Sequence, residues 1–215
     1  MATSTAAAPP IFPTALPLVA ILRGIRPHEA VEHARALLDA GFDCIEVPTN
    51  SPDWPASVAA IVALAGSRAL VGAGTVLDAG HLDLLQAAGG RLAVSPHVDP
   101  ALIADALRRG LIALPGAMTP SELFAAWRAG ARAAKLFPAS TLGASHIRAL
   151  RAVLPEALSL LAVGGVNLGN LRELRGAGCA GAGLGSDLYR PGQSAETTAA
   201  NAAAFVAAWR ATGAP

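Results

Sequence analysis

Residues 158–184 read LSLLAVGGVNLGNLRELRGAGCAGAGL. An apolar run at 158–164 ends on glycine, LRELRG follows as an amphipathic stretch, and a second apolar run occupies 179–184. Runs this short, set around a segment that closes on Ala177-Gly178, predict a strand, a crossover helix and a parallel strand. The same unit recurs toward the N-terminus. Further strand candidates stand at 17–22, 43–48, 69–74, 91–95, 111–115 and 132–137, and successive starts are 26, 26, 22, 20, 21, 26 and 21 residues apart. Each step has room for one strand, one helix and two brief loops. The pattern predicts an α/β chain folded as a single (β/α)8 TIM barrel over residues 16–215, preceded by a flexible extension over residues 1–15. A doubly wound open sheet suits fewer strands and is the second choice.

Helix signals fill the gaps between the strands. Pro27 suits a first turn, and Gly41 stands where a C-cap would fall. Asp78 and Asp99 are N-cap candidates, and Thr119 to Glu122 has capping-box spacing with Pro120 at the first helical position. The chain of 215 residues is 53% hydrophobic and 14% charged, with a net charge of +1. That composition excludes a disordered chain, and the balanced charge gives no footprint for nucleic acid or an anionic membrane. Mean hydropathy is +0.47, yet no apolar run approaches the roughly 18 to 20 residues that span a bilayer. The N-terminal stretch has no basic region and does not read as a signal peptide. Cys44 and Cys179 lie in apolar segments and read as buried thiols of a cytoplasmic protein, and no Cys or His cluster has metal-ligand spacing.

In a barrel, reactive groups come from the C-terminal ends of the strands and the loops after them. Arg23, Glu46, Thr75, His97, Lys135, Gly164-Gly165 and Gly185-Ser186 fall there. Lys135 is the only lysine; the other 15 basic residues are arginine. A guanidinium stays protonated, whereas a desolvated amine is a nucleophile that forms imines. The other reading of Lys135 is a buried lysine paired with a carboxylate. In CIEVP, alternation sets Cys44, Glu46 and Pro48 on one face and the aliphatic Ile45 and Val47 on the other. Glu46 is therefore expected to point into the barrel mouth, where a partly desolvated carboxyl exchanges protons near neutral pH. Its alternative is a salt bridge to Lys135. Gly164, Gly165, Gly185 and Ser186 end the last two strands, the recurrent phosphate site of this fold, although glycines also serve tight turns. The Thr75 hydroxyl in GAGT is available to a carboxylate. Arg23 either clamps an anion or lies in solvent at the rim, and His97 reads as a loop histidine.

Together, Arg23-Gly24, Glu46, GAGT at 72–75, SPH at 95–97, PG at 115–116 with TP at 119–120, KLFPAS at 135–140, GGV at 164–166 and GLGSDLY at 183–189 resemble one family. It is that of the class I aldolases acting on 2-keto-3-deoxy-6-phosphogluconate (KDPG) and its galactonate epimer (KDPGal). The resemblance covers about residues 16–210, and ILRGI, NSP at 50–52 and AGAGLGSDLYR at 180–190 look most like the galactonate branch. It implies an imine at Lys135, proton transfer by Glu46 through a water, and the pyruvate carboxylate held by Thr75. It also implies phosphate bound by Gly164, Gly165, Gly185 and Ser186, with Arg23 fixing the substrate. No cofactor and no metal are implied, and the subunits would form a homotrimer. Before the strand-end glycine pair the gluconate branch usually has threonine, and here Val163 stands, as in the galactonate branch. The expected reaction is cleavage of the KDPGal carbon chain to pyruvate and D-glyceraldehyde 3-phosphate, with the gluconate epimer as the alternative substrate. A cofactor-free phosphosugar isomerase or epimerase is a rival reading, using Glu46 as base and Lys135 electrostatically. A non-catalytic phosphometabolite-binding protein is a further one.

Overall fold

Alternation along short strands decides which side chains meet on the barrel axis and which meet the helices. The computed structural model describes residues 12–212. In chain order the elements are β1 Leu18–Ile21, α1 Pro27–Ala40, β2 Cys44–Pro48, α2 Trp54–Ala65, a 3₁₀ turn at Gly66–Arg68, β3 Leu70–Gly74, α3 Ala79–Ala87, β4 Leu92–Val94 and α4 Pro100–Arg108. There follow β5 Ile112–Leu114, β6 Gly116–Ala117, α5 Pro120–Arg128, β7 Ala133–Leu136, α6 Ala139–Arg151, β8 Ser159–Val163, α7 Leu171–Gly176, β9 Gly181–Leu184 and α8 Ala195–Ala211. Every strand pairing is parallel, in the order β5-β4-β3-β2-β1-β9-β8-β7-β6.

The strand expected at 111–115 is β5, and beyond Pro115, which has no N–H to give the ladder, the chain runs on as a further short strand, β6, that the expectation did not include. β5 pairs with β4 and β6 with β7, so the two together close the ring. The Pro115 carbonyl still accepts the Lys135 N–H at 2.9 Å. Eight strand positions in one parallel, near-closed barrel result, as the spacing predicts.

Inside the ring, Val19, Cys44, Leu70, Leu92, Val94, Leu114, Ala133 and Leu161 form one buried cluster. The alternate positions, among them Ala20, Ile45, Val47, Ala134, Leu136 and Leu160, join the larger cluster under the helices. Phe12 enters the inner cluster and is 6% exposed, while the Asp43 carboxylate accepts the backbone N–H groups of Ala15 and Leu16. Packing thus begins ahead of residue 16, because an aromatic ring there covers the barrel floor. Residues 1–11 of the expected extension lie outside the described residues.

The helix punctuation follows the sequence. Asp78 accepts the His81 N–H, Asp99 those of Ala101 and Leu102, and Thr119 with Glu122 closes a reciprocal capping box. Gly41 ends α1 in the left-handed region at φ 102°, a conformation that a Cβ disfavours. Among the described residues no helix is long and apolar enough to cross a membrane.

Candidate active site

The parity that puts Cys44 on the axis puts Glu46 there too, one residue pair higher; on β7 the same holds for Ala133 and Lys135. In the ring order β2 and β7 stand opposite one another, with β1, β9 and β8 between them on one side. Glu46 and Lys135 therefore face each other across the barrel near the C-terminal ends of their strands. They are 3% and 7% exposed. Among the described residues they form no ion pair within 4.0 Å, so the simple salt-bridge reading of the two does not apply.

Burial raises the Glu46 carboxyl to about 7, against the opposing pull of the Lys135 and Arg23 charges. Its Oε2 is buried with no hydrogen-bond partner among the described residues. Burial also holds the Lys135 ammonium below its ordinary range; Glu46 opposes the shift and Arg23 adds to it. Neighbouring strands leave room for both groups. A Cβ at Gly74 would stand 2.7 Å from Glu46 Oε1, and one at Gly116 would stand 2.9 Å from Lys135 Cε. The Lys135 Nζ lies 4.9 Å from the centroid of the Phe137 ring.

Beside this pair opens a cavity of about 400 Å³. Arg23, Phe137, Gly164, Gly165, Gly185 and Ser186 line it, contributed by the ends of β1, β7, β8 and β9. Gly164 and Gly165 hold φ of 90° and 70°. The N–H groups of Gly164, Gly165, Gly185 and Ser186 have no backbone or side-chain acceptor among the described residues. Backbone donors left open around one cavity are what an anion requires. Val163 also lines this cavity, presenting methyl groups where a threonine would present a hydroxyl.

Thr75 stands apart from that lining, on the Glu46 side, directly after Gly74. Its φ is 56°, and its carbonyl accepts the Thr49 hydroxyl at 2.6 Å. A non-glycine residue in this region is held there by its surroundings, and the Thr49 bond is the clamp. His97 is exposed, its carbonyl accepting the Ser95 hydroxyl, in keeping with a loop histidine.

The matches with known proteins agree with this geometry. The model of the KDPG and KHG aldolase family matches residues 13–201. The chain belongs to that family. An Escherichia coli (strain K12) protein named 2-dehydro-3-deoxy-6-phosphogalactonate aldolase is 53% identical over 197 residues, spanning 92% of this chain and 96% of its own length. A solved structure described as native KDPGal superposes with a TM-score of 0.91 at 52% identity, covering 93% of this chain and 97% of that one. A KDPG aldolase from Legionella pneumophila, captured with pyruvate as a covalent carbinolamine, superposes with a TM-score of 0.79 at 25% identity over 94% of this chain and 96% of its own.

Several neighbours of this KDPG/KHG-type site have roles that the sequence alone does not assign. Asn50 Oδ1 accepts from Arg23 Nη1 at 2.8 Å, and the Ser51 hydroxyl accepts the Gly24 N–H at 2.9 Å. These bonds tie the loop after β1 to the loop after β2. Phe137 joins the amine to the cavity wall, and Arg190 lines that wall. Each stands in a phrase that carries the family resemblance (NSP, KLFPAS, AGAGLGSDLYR) and follows the C-terminal end of a strand, but neither signal assigns it a role.

Proposed function

We propose that this chain is a class I aldolase cleaving 2-dehydro-3-deoxy-6-phospho-D-galactonate between C3 and C4, giving pyruvate and D-glyceraldehyde 3-phosphate. The observation that carries the reading is a buried amine, its pKa lowered by desolvation, facing a carboxyl raised to about 7 across the barrel mouth. Neutral Lys135 attacks the C2 ketone, and loss of water leaves an iminium. Glu46, through a water, takes the C4 hydroxyl proton. The C4–O pair becomes the aldehyde carbonyl, the C3–C4 bond breaks, and its electron pair neutralises the iminium as an enamine. Glu46 then returns a proton to C3, and hydrolysis frees pyruvate and restores the amine. The iminium is the electron sink, so the sequence as written calls for neither metal nor cofactor.

Thr75 and the backbone of Gly72–Gly74 hold the carboxylate in this reading. The open N–H groups of Gly164, Gly165, Gly185 and Ser186 take the phosphate, and Arg23 orients the chain between them. The methyl groups of Val163 and the 53% identity with the E. coli galactonate enzyme support the galactonate epimer. A hydroxyl contact at that position is worth on the order of 1 kcal/mol, so the expected epimer preference is severalfold. The test is pyruvate release from both epimers, followed with lactate dehydrogenase. A larger kcat/KM for the galactonate is expected; a larger one for the gluconate would reverse the assignment, and no pyruvate from either would remove it. The family resemblance supports a homotrimer, for which sedimentation should give about three times 21.5 kDa and a monomer mass would contradict it.

A further inference from the structure

Beyond Arg23, one more arginine faces the cavity. We infer that Arg190 is a specificity-determining cation that selects phosphorylated substrates; this rests on the aldolase reading above. A phosphomonoester carries close to two negative charges at neutral pH. Backbone N–H groups supply only partial charges, and the charged side chains lining the cavity are Arg23, Asp187 and Arg190. Without Arg190 those side chains sum to zero. Arg23 has one guanidinium nitrogen committed to Asn50, on the side of the cavity toward β2. Arg190 donates from Nε to the Ser186 carbonyl at 2.7 Å. That bond fixes the plane of the guanidinium beside the turn whose open N–H groups and hydroxyl face the cavity. Among the described residues both terminal nitrogens are without a partner, in the fork that matches two phosphate oxygens.

The loop carrying Arg190 is anchored in the core. Its backbone N–H donates to Gln193 Oε1 at 3.0 Å, and the Gln193 amide donates to the Leu188 carbonyl at 2.9 Å and to Thr198 Oγ1 at 2.7 Å. Thr198 in turn pairs with Nδ1 of the buried His33 at 2.8 Å. On the other side, a Cβ at Gly24 would stand 2.8 Å from Pro191 Cγ, so the two arginine-bearing loops are in contact. A cation on a tied-down loop gives up little further freedom when it meets its anion.

The test is the condensation direction, with pyruvate and either D-glyceraldehyde 3-phosphate or unphosphorylated D-glyceraldehyde as acceptor. In Arg190→Gln and Arg190→Ala the ratio of kcat/KM for the phosphorylated over the plain aldehyde should fall by about tenfold or more. Most of the loss should appear in KM. Arg190→Lys, which keeps the charge without the fork, should lie between these variants and the wild type. Inorganic phosphate should inhibit the wild type more strongly than Arg190→Gln. An unchanged ratio in all three variants would overturn the role. Because pyruvate trapping on Lys135 does not involve the phosphate end, it separates the two readings. A normal adduct with an unchanged ratio rejects Arg190 alone, whereas no adduct in the wild type rejects the aldolase reading on which it rests.

Discussion

A carboxyl raised to about 7 is half-ionised at neutral pH, which suits one group to both remove and return a proton. Two consequences follow at this residue. The acid limb of kcat/KM should have an apparent pKa near 7, and Glu46→Gln should abolish that limb while lowering kcat by about 10² to 10⁴-fold. A loss confined to KM would count against proton transfer by Glu46. The same burial has a stability consequence of definite sign. The folded-state pKa lies above the ordinary 4.5, so the folded protein gains from Glu46 in its protonated form. That gain is complete below pH 4.5 and is lost as pH rises through about 7. Glu46→Gln should therefore raise Tm at pH 8.5 and leave it nearly unchanged at pH 4, the difference corresponding to about 3 kcal/mol. Lys135 and Glu46 were legible in sequence because their signals are local: one lysine among arginines, and a carboxylate in phase with the inward side of its strand. Asn50 and Arg190 were not, because their roles come from partners on other loops, and spacing along one strand carries no information about those.

At the level of elements, the site depends as much on side chains omitted as on those present. β3 turns Gly72 and Gly74 inward where its neighbour β2 turns in Glu46, and β6 offers Gly116 beside Lys135. Gly74→Ala would set a methyl group 2.7 Å from the Glu46 carboxylate. It should lower kcat at least tenfold and cost about 1 to 3 kcal/mol of stability, read as a lower Tm, since overpacking displaces a side chain without undoing the barrel. Wild-type kcat in Gly74→Ala would show that Glu46 has room to move. Strand positions were legible from the 20-to-26-residue repeat, and helix ends from proline, aspartate and glycine at the right offsets. The continuation of one strand past Pro115 was less so. The run LIALP reads as a strand that ends at its proline, and only the pairing of Gly116–Ala117 with β7 reveals that the strand position continues beyond it.

Across the whole molecule, the ring order is what makes two residues 89 positions apart into one site. Opposite strands hold the amine and the carboxyl at the same end of the barrel, with no ion pair between them within 4.0 Å. The two ends of the barrel are independent in kind: the mouth carries polar groups, and the floor is covered by Phe12 on an apolar layer. Phe12→Ala should cost about 3 kcal/mol of stability, read as a lower Tm, with KM unaltered; an unchanged Tm would mean that the floor does not depend on that ring. The start of the packed chain was the boundary least legible in sequence, because a phenylalanine among prolines gives no periodic signal.

The proposed cleavage turns on covalent chemistry at one amine, and that is open to direct measurement. The protein is incubated with pyruvate, reduced with borohydride, digested and read by peptide mass spectrometry. A reduced pyruvyl adduct is expected on Lys135 and should vanish in Lys135→Arg. No adduct under conditions that label a known class I aldolase, or an adduct elsewhere in the chain, would contradict the mechanism and leave Glu46 as the base of a non-covalent isomerase.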